Sequence, residues 1–173
     1  MATTARQRAR KGTKKDRILI LTERRSAMSN AAEESVKRFC DGCSCSQAVL
    51  SSYADRYGLE QTVAMRIAAG LGGGLGRMGG TCGALTGAAL VLGLENGSPD
   101  RIDKLAKKAT YDAVAELQRR FSERHGSILC RDLLQHDLSI PQQYLEAKAL
   151  DLFKTECPAF VETTVEILDD LLQ

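Results

Sequence analysis

Apolar positions recur along most of the chain at helical spacing, broken by short polar or glycine-rich stretches, and the pattern predicts a succession of helices. Ser29 or Asn30 can cap a first helix to about Phe39, which Cys40-Asp41-Gly42 ends. Ser44 with Gln47 three residues later is a capping-box pattern, opening a helix to about Tyr57 that Gly58 stops. A third helix, from about Leu59 to Leu71, carries Val63, Ile67 and Leu71 at every fourth position. Thr81 is expected to cap the next, through Leu94, before Asn96-Gly97-Ser98-Pro99 closes it. Asp100 is expected to cap a long helix to about Arg124, with Ile102, Leu105, Ala109, Ala113, Leu117 and Phe121 on one stripe. His125-Gly126 ends it, and Ser127 can start a short helix carrying Cys130. Pro141 suits the first turn of a helix to about Lys154, and Pro158 that of the last, with Phe160, Val161, Val165, Leu168 and Leu172 facing inward. The expected fold class is all-α, a compact bundle of about six to eight helices with a glycine-rich loop before the central cysteine-bearing helix. No internal repeat and no second domain is visible.

That loop, from Gly70 to Gly80, holds seven glycines in eleven residues and cannot be regular helix. Gly74 to Gly79 matches the spacing of a dinucleotide-binding fingerprint, but a helix rather than a strand precedes it. Gly74 to Thr81 approximates a phosphate-binding loop, with Gly80 where the lysine belongs. Both readings are set aside. The glycines are expected to let backbone wrap something bulky beside Cys82 and offer it N–H groups; the alternative is close backbone passage between packed helices. Gly72, Gly73, Gly74 and Gly76 are expected to include positive-φ residues that line the cysteine pocket rather than a phosphate. Gly83, Ala84, Gly87 and Ala88 continue the theme as a small-residue face on which another helix can lie close.

A length of 173 residues fits one domain, and 43% apolar with 27% charged residues is a soluble globular composition. With 5% aromatic residues and no Trp, a base-stacking platform is not expected. The longest uncharged apolar run, about Cys82 to Leu94, falls short of the roughly 20 residues needed to span a bilayer. No secretory signal pattern is found, which makes the expected location cytoplasmic. Charge is unevenly spread. Residues 1–27 carry nine Lys and Arg against Asp16 and Glu23, a net +7, whereas the remainder carries fifteen against twenty, a net −5. Residues 1–27 are therefore expected to form a basic, disordered tail, with at most weak nucleic-acid or anionic-membrane contact, and 28–173 a single helical domain. Met28, just before a helix, also reads as a natural start. Arg17 to Thr22 could form a strand, but no partner for it is apparent.

The six cysteines carry the chemistry: Cys40, Cys43, Cys45, Cys82, Cys130 and Cys157. In a reducing compartment stable disulfides are uncommon, and a cysteine taken alone is most often a buried small hydrophobe. Four share a position, however. Cys45, Cys82, Cys130 and Cys157 each fall at an expected helix N-terminus, where the helix dipole should lower a thiol pKa. If the four ends converge, they make a site of thiolate ligands surrounded by backbone N–H groups. Four thiolates suit zinc or an iron–sulfur cluster. Spacings of 37, 48 and 27 residues favour a fold wrapped around a larger object over the close pairs of a structural zinc site. Cys40-x2-Cys43 is the one close pair, readable as a redox dithiol, an extra metal arm or coincidence.

Five segments carry a resemblance: Cys45 to Leu50, Gly72 to Gly79, Cys82 to Gly87, Cys130-Arg131 and Cys157-Pro158. They resemble the C_GCAxxG_C_C family of putative redox-active proteins, over about Ser29 to Leu172. That family is defined by four cysteines, which map onto Cys45, Cys82, Cys130 and Cys157, and is related to a domain of split-Soret cytochromes in which an iron–sulfur centre accompanies haem. Cys40, Cys43 and residues 1–27 lie outside the pattern. The resemblance implies a redox or cluster-binding role without an established reaction.

The expected function is thus iron–sulfur or other thiolate-metal binding through these four cysteines, in electron transfer or redox sensing. The alternative is a thiol–disulfide oxidoreductase using the same residues without metal. Gly72, Gly73, Gly74, Gly76, Arg77 and Gly83 are the expected cofactor-binding residues. Arg77 and Arg131, near site cysteines in sequence, would offset cluster charge or else clamp loop carbonyls. Covalent haem is not expected without Cys-x-x-Cys-His, and His125 and His136 read as cap or surface residues. The acids Glu33, Glu34, Glu116 and Glu123 read as solvated helix faces, and no hydrolase motif occurs. The expected partner is an unidentified redox protein, with a homodimer left open.

Overall fold

The computed structural model of the chain describes residues 30–173, so the expectations for residues 1–27, the strand at Arg17 to Thr22 and a start at Met28 lie outside the described residues. The architecture is all-α and compact. Among the described residues there is no sheet, only an isolated antiparallel bridge between Thr81 and Leu129.

Helix α1 spans residues 30–40 and ends in a tight reversal: Gly42, at φ 108°, lets its N–H reach the Phe39 carbonyl and that of Cys43 reach Arg38. Helix α2, Cys45–Tyr53, starts with the predicted capping box, Ser44 and Gln47 each bonding the other's backbone. A 3-10 helix, Ala54–Tyr57, extends it to Gly58 in the left-handed region. Helix α3 is shorter than its pattern suggested. It covers Gln61–Ala68 and is capped by Glu60. Its buried residues are Ala64 and Ala68, while Val63 and Ile67 of the expected stripe are exposed. Alanine lets α3 lie close against its neighbours, which turns the larger side chains outward.

A 3-10 turn, Ala69–Leu71, leads into the glycine loop. The segment Gly72–Leu75 coils but is not regular helix, since Gly73 and Gly74 have φ near +64° and +72°. Helix α4, Gly83–Asn96, runs through the centre. Thr81 does not cap it: Cys82 is the N-cap, without a side-chain cap bond, because Thr81 is engaged in the bridge to Leu129. The small-residue face of α4 does receive a helix. A Cβ on Gly87 would lie 2.7 Å from the Ser46 carbonyl oxygen of α2.

Helix α5, Lys104–His125, is capped by Asp103, whose carboxylate accepts from the Ala106 N–H. Asp100, the expected cap, instead accepts from Ile102 in the preceding turn. Only the C-terminal part of the predicted stripe is buried. Leu117 and Phe121 enter the core, whereas Ile102 and Leu105 are 81% and 83% exposed, because the helix outruns the bundle it packs on. Helix α6, Cys130–Leu134, is entered through Leu129, with Ser127 bonding the Leu129 N–H rather than capping. The helix predicted from Pro141 to Lys154 breaks into α7, Pro141–Ala149, and α8, Leu152–Thr155, at Asp151, which adopts φ 54°. Helix α9, Cys157–Leu171, has Pro in its first turn and buries Phe160, Val161, Val165 and Leu168, with Leu172 buried just past its end. The core lies where α2, α4, α5 and α9 meet, around Leu50, Leu85, Val91, Phe121, Val161 and Val165.

Candidate functional site

Each of the four expected cysteines stands at a helix start. Cys45, Cys130 and Cys157 are the first residues of α2, α6 and α9, and Cys82 is the N-cap of α4. The fold brings these ends together. Cys45, Cys130 and Cys157 line one cavity of about 810 Å³. Cys82 lies buried near enough that its charge would couple to all three.

The glycine loop does this positioning. The Gly79 and Gly80 carbonyls accept from the N–H groups of Arg131 and Cys130, and the Ile128 carbonyl accepts from Cys82. This cross-linking around the Thr81–Leu129 bridge sets the starts of α4 and α6 side by side. The loop closes on itself where Gly80 donates to the Gly74 carbonyl at 2.9 Å. Any Cβ on Gly74 would sit 2.4 Å from the Gly80 nitrogen, so no other residue fits. Gly72, Gly73, Gly76 and Arg77 line the cavity. Gly74 packs against Gly80 instead, and Gly83 against Cys45, whose Sγ would be 2.8 Å from an added Cβ. The four loop glycines do include positive-φ residues, Gly73, Gly74 and Gly76; Gly72 has φ −69° and is needed for close approach to Ser44.

The Cys45 sulfur accepts from the backbone N–H groups of Gly73, Ser46 and Gly83 as well as its own, and Cys82 from that of Ala84. The expectation of lowered pKa values is nevertheless overturned. Burial raises all four thiols, that of Cys130 to about 12, and their mutual repulsion adds to it at Cys82, Cys130 and Cys157. Loss of hydration outweighs the helix ends and the N–H groups, so the thiolates need a bound cation to persist. Among the described residues no three His, Cys, Asp or Glu side chains are grouped to hold a single metal ion. Cys45, Cys130 and Cys157 instead border a larger volume, with Cys82 buried beside them. As a donor set the four thiols are uniformly soft, no carboxylate or imidazole among the described residues lines the cavity, and N–H donors already point at two sulfurs. This chemistry fits a thiolate-ligated cluster.

The two arginines divide their roles. Arg131 clamps the loop, its guanidinium donating to the Gly79 and Met78 carbonyls, with Asp137 at 3.5 Å. Arg77, held at φ 65°, lays its guanidinium over the Tyr144 ring at 4.6 Å on the cavity wall. His125 is neither cap nor surface residue: its ring packs against Phe121 and Phe160, with centroids 4.6 and 5.0 Å away, and burial lowers its pKa. His136 is half-buried and bonds the Leu134 carbonyl. Glu34 pairs with Arg38, and Glu116 and Glu123 with Arg119, as solvated helix faces do.

Sequence reasoning missed the apolar wall, Phe39, Leu134, Leu138, Tyr144 and Phe153, and the cation Lys154. These residues come from α1 and the region from α6 to α8 with no shared motif; only the cysteines carried a signal. Cys40 and Cys43 also line the cavity. No helix among the described residues is long and apolar enough to cross a membrane.

Comparison with curated proteins and with solved structures finds no match. A family model does match, over residues 43–171, which include all four helix-start cysteines and the glycine loop. With three-quarters of its length covered, the chain belongs to the family described as putative redox-active protein (C_GCAxxG_C_C).

Proposed function

We propose that the chain is an electron-transfer or redox-sensing protein that holds an iron–sulfur cluster through Cys45, Cys82, Cys130 and Cys157. The observation that carries this reading is the convergence of four helix-start cysteines, three lining one cavity and Cys82 buried beside them, with backbone N–H groups aimed at the sulfurs of Cys45 and Cys82. The cluster, when bound, supplies one-electron redox chemistry. The chain's own residues do the rest. The four cysteines lose their protons as ligands, and the N–H groups of Gly73, Ser46, Gly83 and Ala84 stabilise the resulting negative charge. Arg77 adds a fixed positive charge at the wall, and charge of this sign raises a reduction potential. Phe39, Leu138 and Phe153 limit water around the sulfurs. On this reading residues 28–173 are the redox domain, the partner is another redox protein and the location is cytoplasmic.

Anaerobic purification tests it. A brown protein whose visible absorbance bleaches on reduction is the expected result. A colourless protein in which oxidation joins two of Cys45, Cys82, Cys130 and Cys157 would favour thiol–disulfide chemistry at the same cysteines. Zinc without iron would make the site structural.

A further inference from the structure

Two cysteines at the same cavity lie outside the four-cysteine set. Cys40 is exposed and Cys43 half-buried, whereas Cys82, Cys130 and Cys157 are buried. Both Cys40 and Cys43 line the cavity, which puts them at its solvent side. Local structure holds them together. Cys40 is the last residue of α1, and Gly42 at φ 108° reverses the chain. The Gly42 N–H bonds the Phe39 carbonyl at 3.1 Å and the Cys43 N–H bonds that of Arg38 at 3.0 Å. These paired bonds close a helix end and fold the residue after the glycine back over the last turn. The two thiols therefore sit three residues apart on a fixed reversal and face one cavity.

The cavity also suggests what meets them. At about 810 Å³ it has the size of a small-molecule site. Among the described residues, the charged ones lining it are Arg77 and Lys154, both cationic. Arg77 is held over an aromatic ring, and Lys154 pairs with Asp151 at the surface. An anionic molecule is favoured there over a cationic one.

We propose that Cys40 and Cys43 form a second redox site, a dithiol at the cavity mouth that reduces anionic low-molecular-weight disulfides. One cysteine, as thiolate, attacks a sulfur of the disulfide RSSR; the RS–SR bond breaks and a protein–S–SR bond forms. The departing RS⁻ takes up a proton. The second cysteine then attacks the protein-side sulfur, releases the other RS⁻ to be protonated and closes a Cys40–Cys43 disulfide. Two electrons and two protons pass from the dithiol to RSSR, giving two RSH. The exchange uses none of Cys45, Cys82, Cys130 and Cys157.

The test is to mix the reduced full chain with glutathione disulfide, an anionic disulfide, alkylate at intervals and map the cysteines by peptide mass spectrometry. The expected result is a Cys40–Cys43 disulfide with release of two glutathiones per chain. Cys40→Ser and Cys43→Ser should each stop at a glutathione mixed disulfide on the remaining cysteine. Cystamine, a cationic disulfide, should react about tenfold more slowly, and Arg77→Gln should narrow that gap. A mixed disulfide that persists in the unsubstituted chain, or a bond from Cys40 or Cys43 to one of the other four cysteines, would overturn the dithiol. Equal rates with the two disulfides would overturn the anionic substrate class. The purified Cys40→Ser and Cys43→Ser proteins should also keep the parent's iron content. Loss of iron would make the pair part of the metal centre and overturn its separate role.

Discussion

Helix α4 offers two glycines with opposite surroundings, and substituting each by alanine isolates what close helix approach contributes. At Gly93 nothing lies within 4 Å of an added Cβ. Gly93→Ala should stabilise the protein by about 0.5–1 kcal/mol, the ordinary gain in a helix interior. At Gly87 the same methyl would lie 2.7 Å from the Ser46 carbonyl oxygen, 3.0 Å from the Ser46 Cα and 3.2 Å from the Val49 Cβ. Two of these three atoms are backbone and cannot rotate away, so α2 must move off α4. Overpacking of this kind costs roughly 1–3 kcal/mol, from which the propensity gain of about 0.5–1 kcal/mol is to be subtracted, leaving a net loss centred on about 1 kcal/mol and reaching about 2.5 kcal/mol. For a chain of this size that lowers the melting temperature by several degrees, about 2–4 °C per kcal/mol. Because Ser46 adjoins Cys45, the same displacement should also disturb the thiol site. The assay is denaturant unfolding followed by circular dichroism, with visible absorbance or thiol reactivity recorded beside it. If Gly87→Ala is as stable as Gly93→Ala and leaves the site unchanged, the argument that α2 and α4 need this contact is wrong.

Further outcomes follow from the buried titrating groups and from the tail. Asp169 accepts a 2.5 Å hydrogen bond from the Tyr53 hydroxyl, and burial raises its pKa from 3.8 to about 6. The folded chain keeps this proton to higher pH than the unfolded chain, so stability should fall as pH rises from about 4 to 6, by at most about 3 kcal/mol. Asp169→Asn should remove that slope, and a difference from the parent that is constant across the window would contradict it. Burial likewise raises Cys130 from 9.0 to about 12, so metal-free protein should lose stability as pH rises above 9, less steeply in Cys130→Ser. Equal slopes in the two proteins would count against this. Deleting residues 1–27 should leave melting temperature and bound iron unchanged, and a loss of several degrees would mean that the basic segment packs on the domain.

Local signals in the sequence proved most legible where chemistry is local. The capping box at Ser44 and Gln47, the stop at Gly126 and the proline-led start of α9 follow from bonds or torsions within a few residues. The four cysteines were found because each marks a helix start, a context that spacing reveals before any contact is known. Competition from distant partners was not legible. Thr81 looked like a cap, but its backbone is drawn into pairing with Leu129, 48 residues away. Val63 and Ile67 had helical periodicity yet face outward, because close packing selected Ala64 and Ala68. The thiol pKa shifts reversed for the same reason: helix polarity can be read from sequence, whereas burial depends on the whole fold.

The most direct measurement of the central claim is iron and acid-labile sulfide per chain after anaerobic purification, in the parent and in serine variants of Cys45, Cys82, Cys130 and Cys157. The account predicts iron and sulfide together in the parent. Both should be lost in Cys82→Ser, the buried thiol whose charge couples to the other three, and strongly reduced in the remaining variants. A parent protein without iron and sulfide, or a Cys82→Ser protein that retains both, would contradict it.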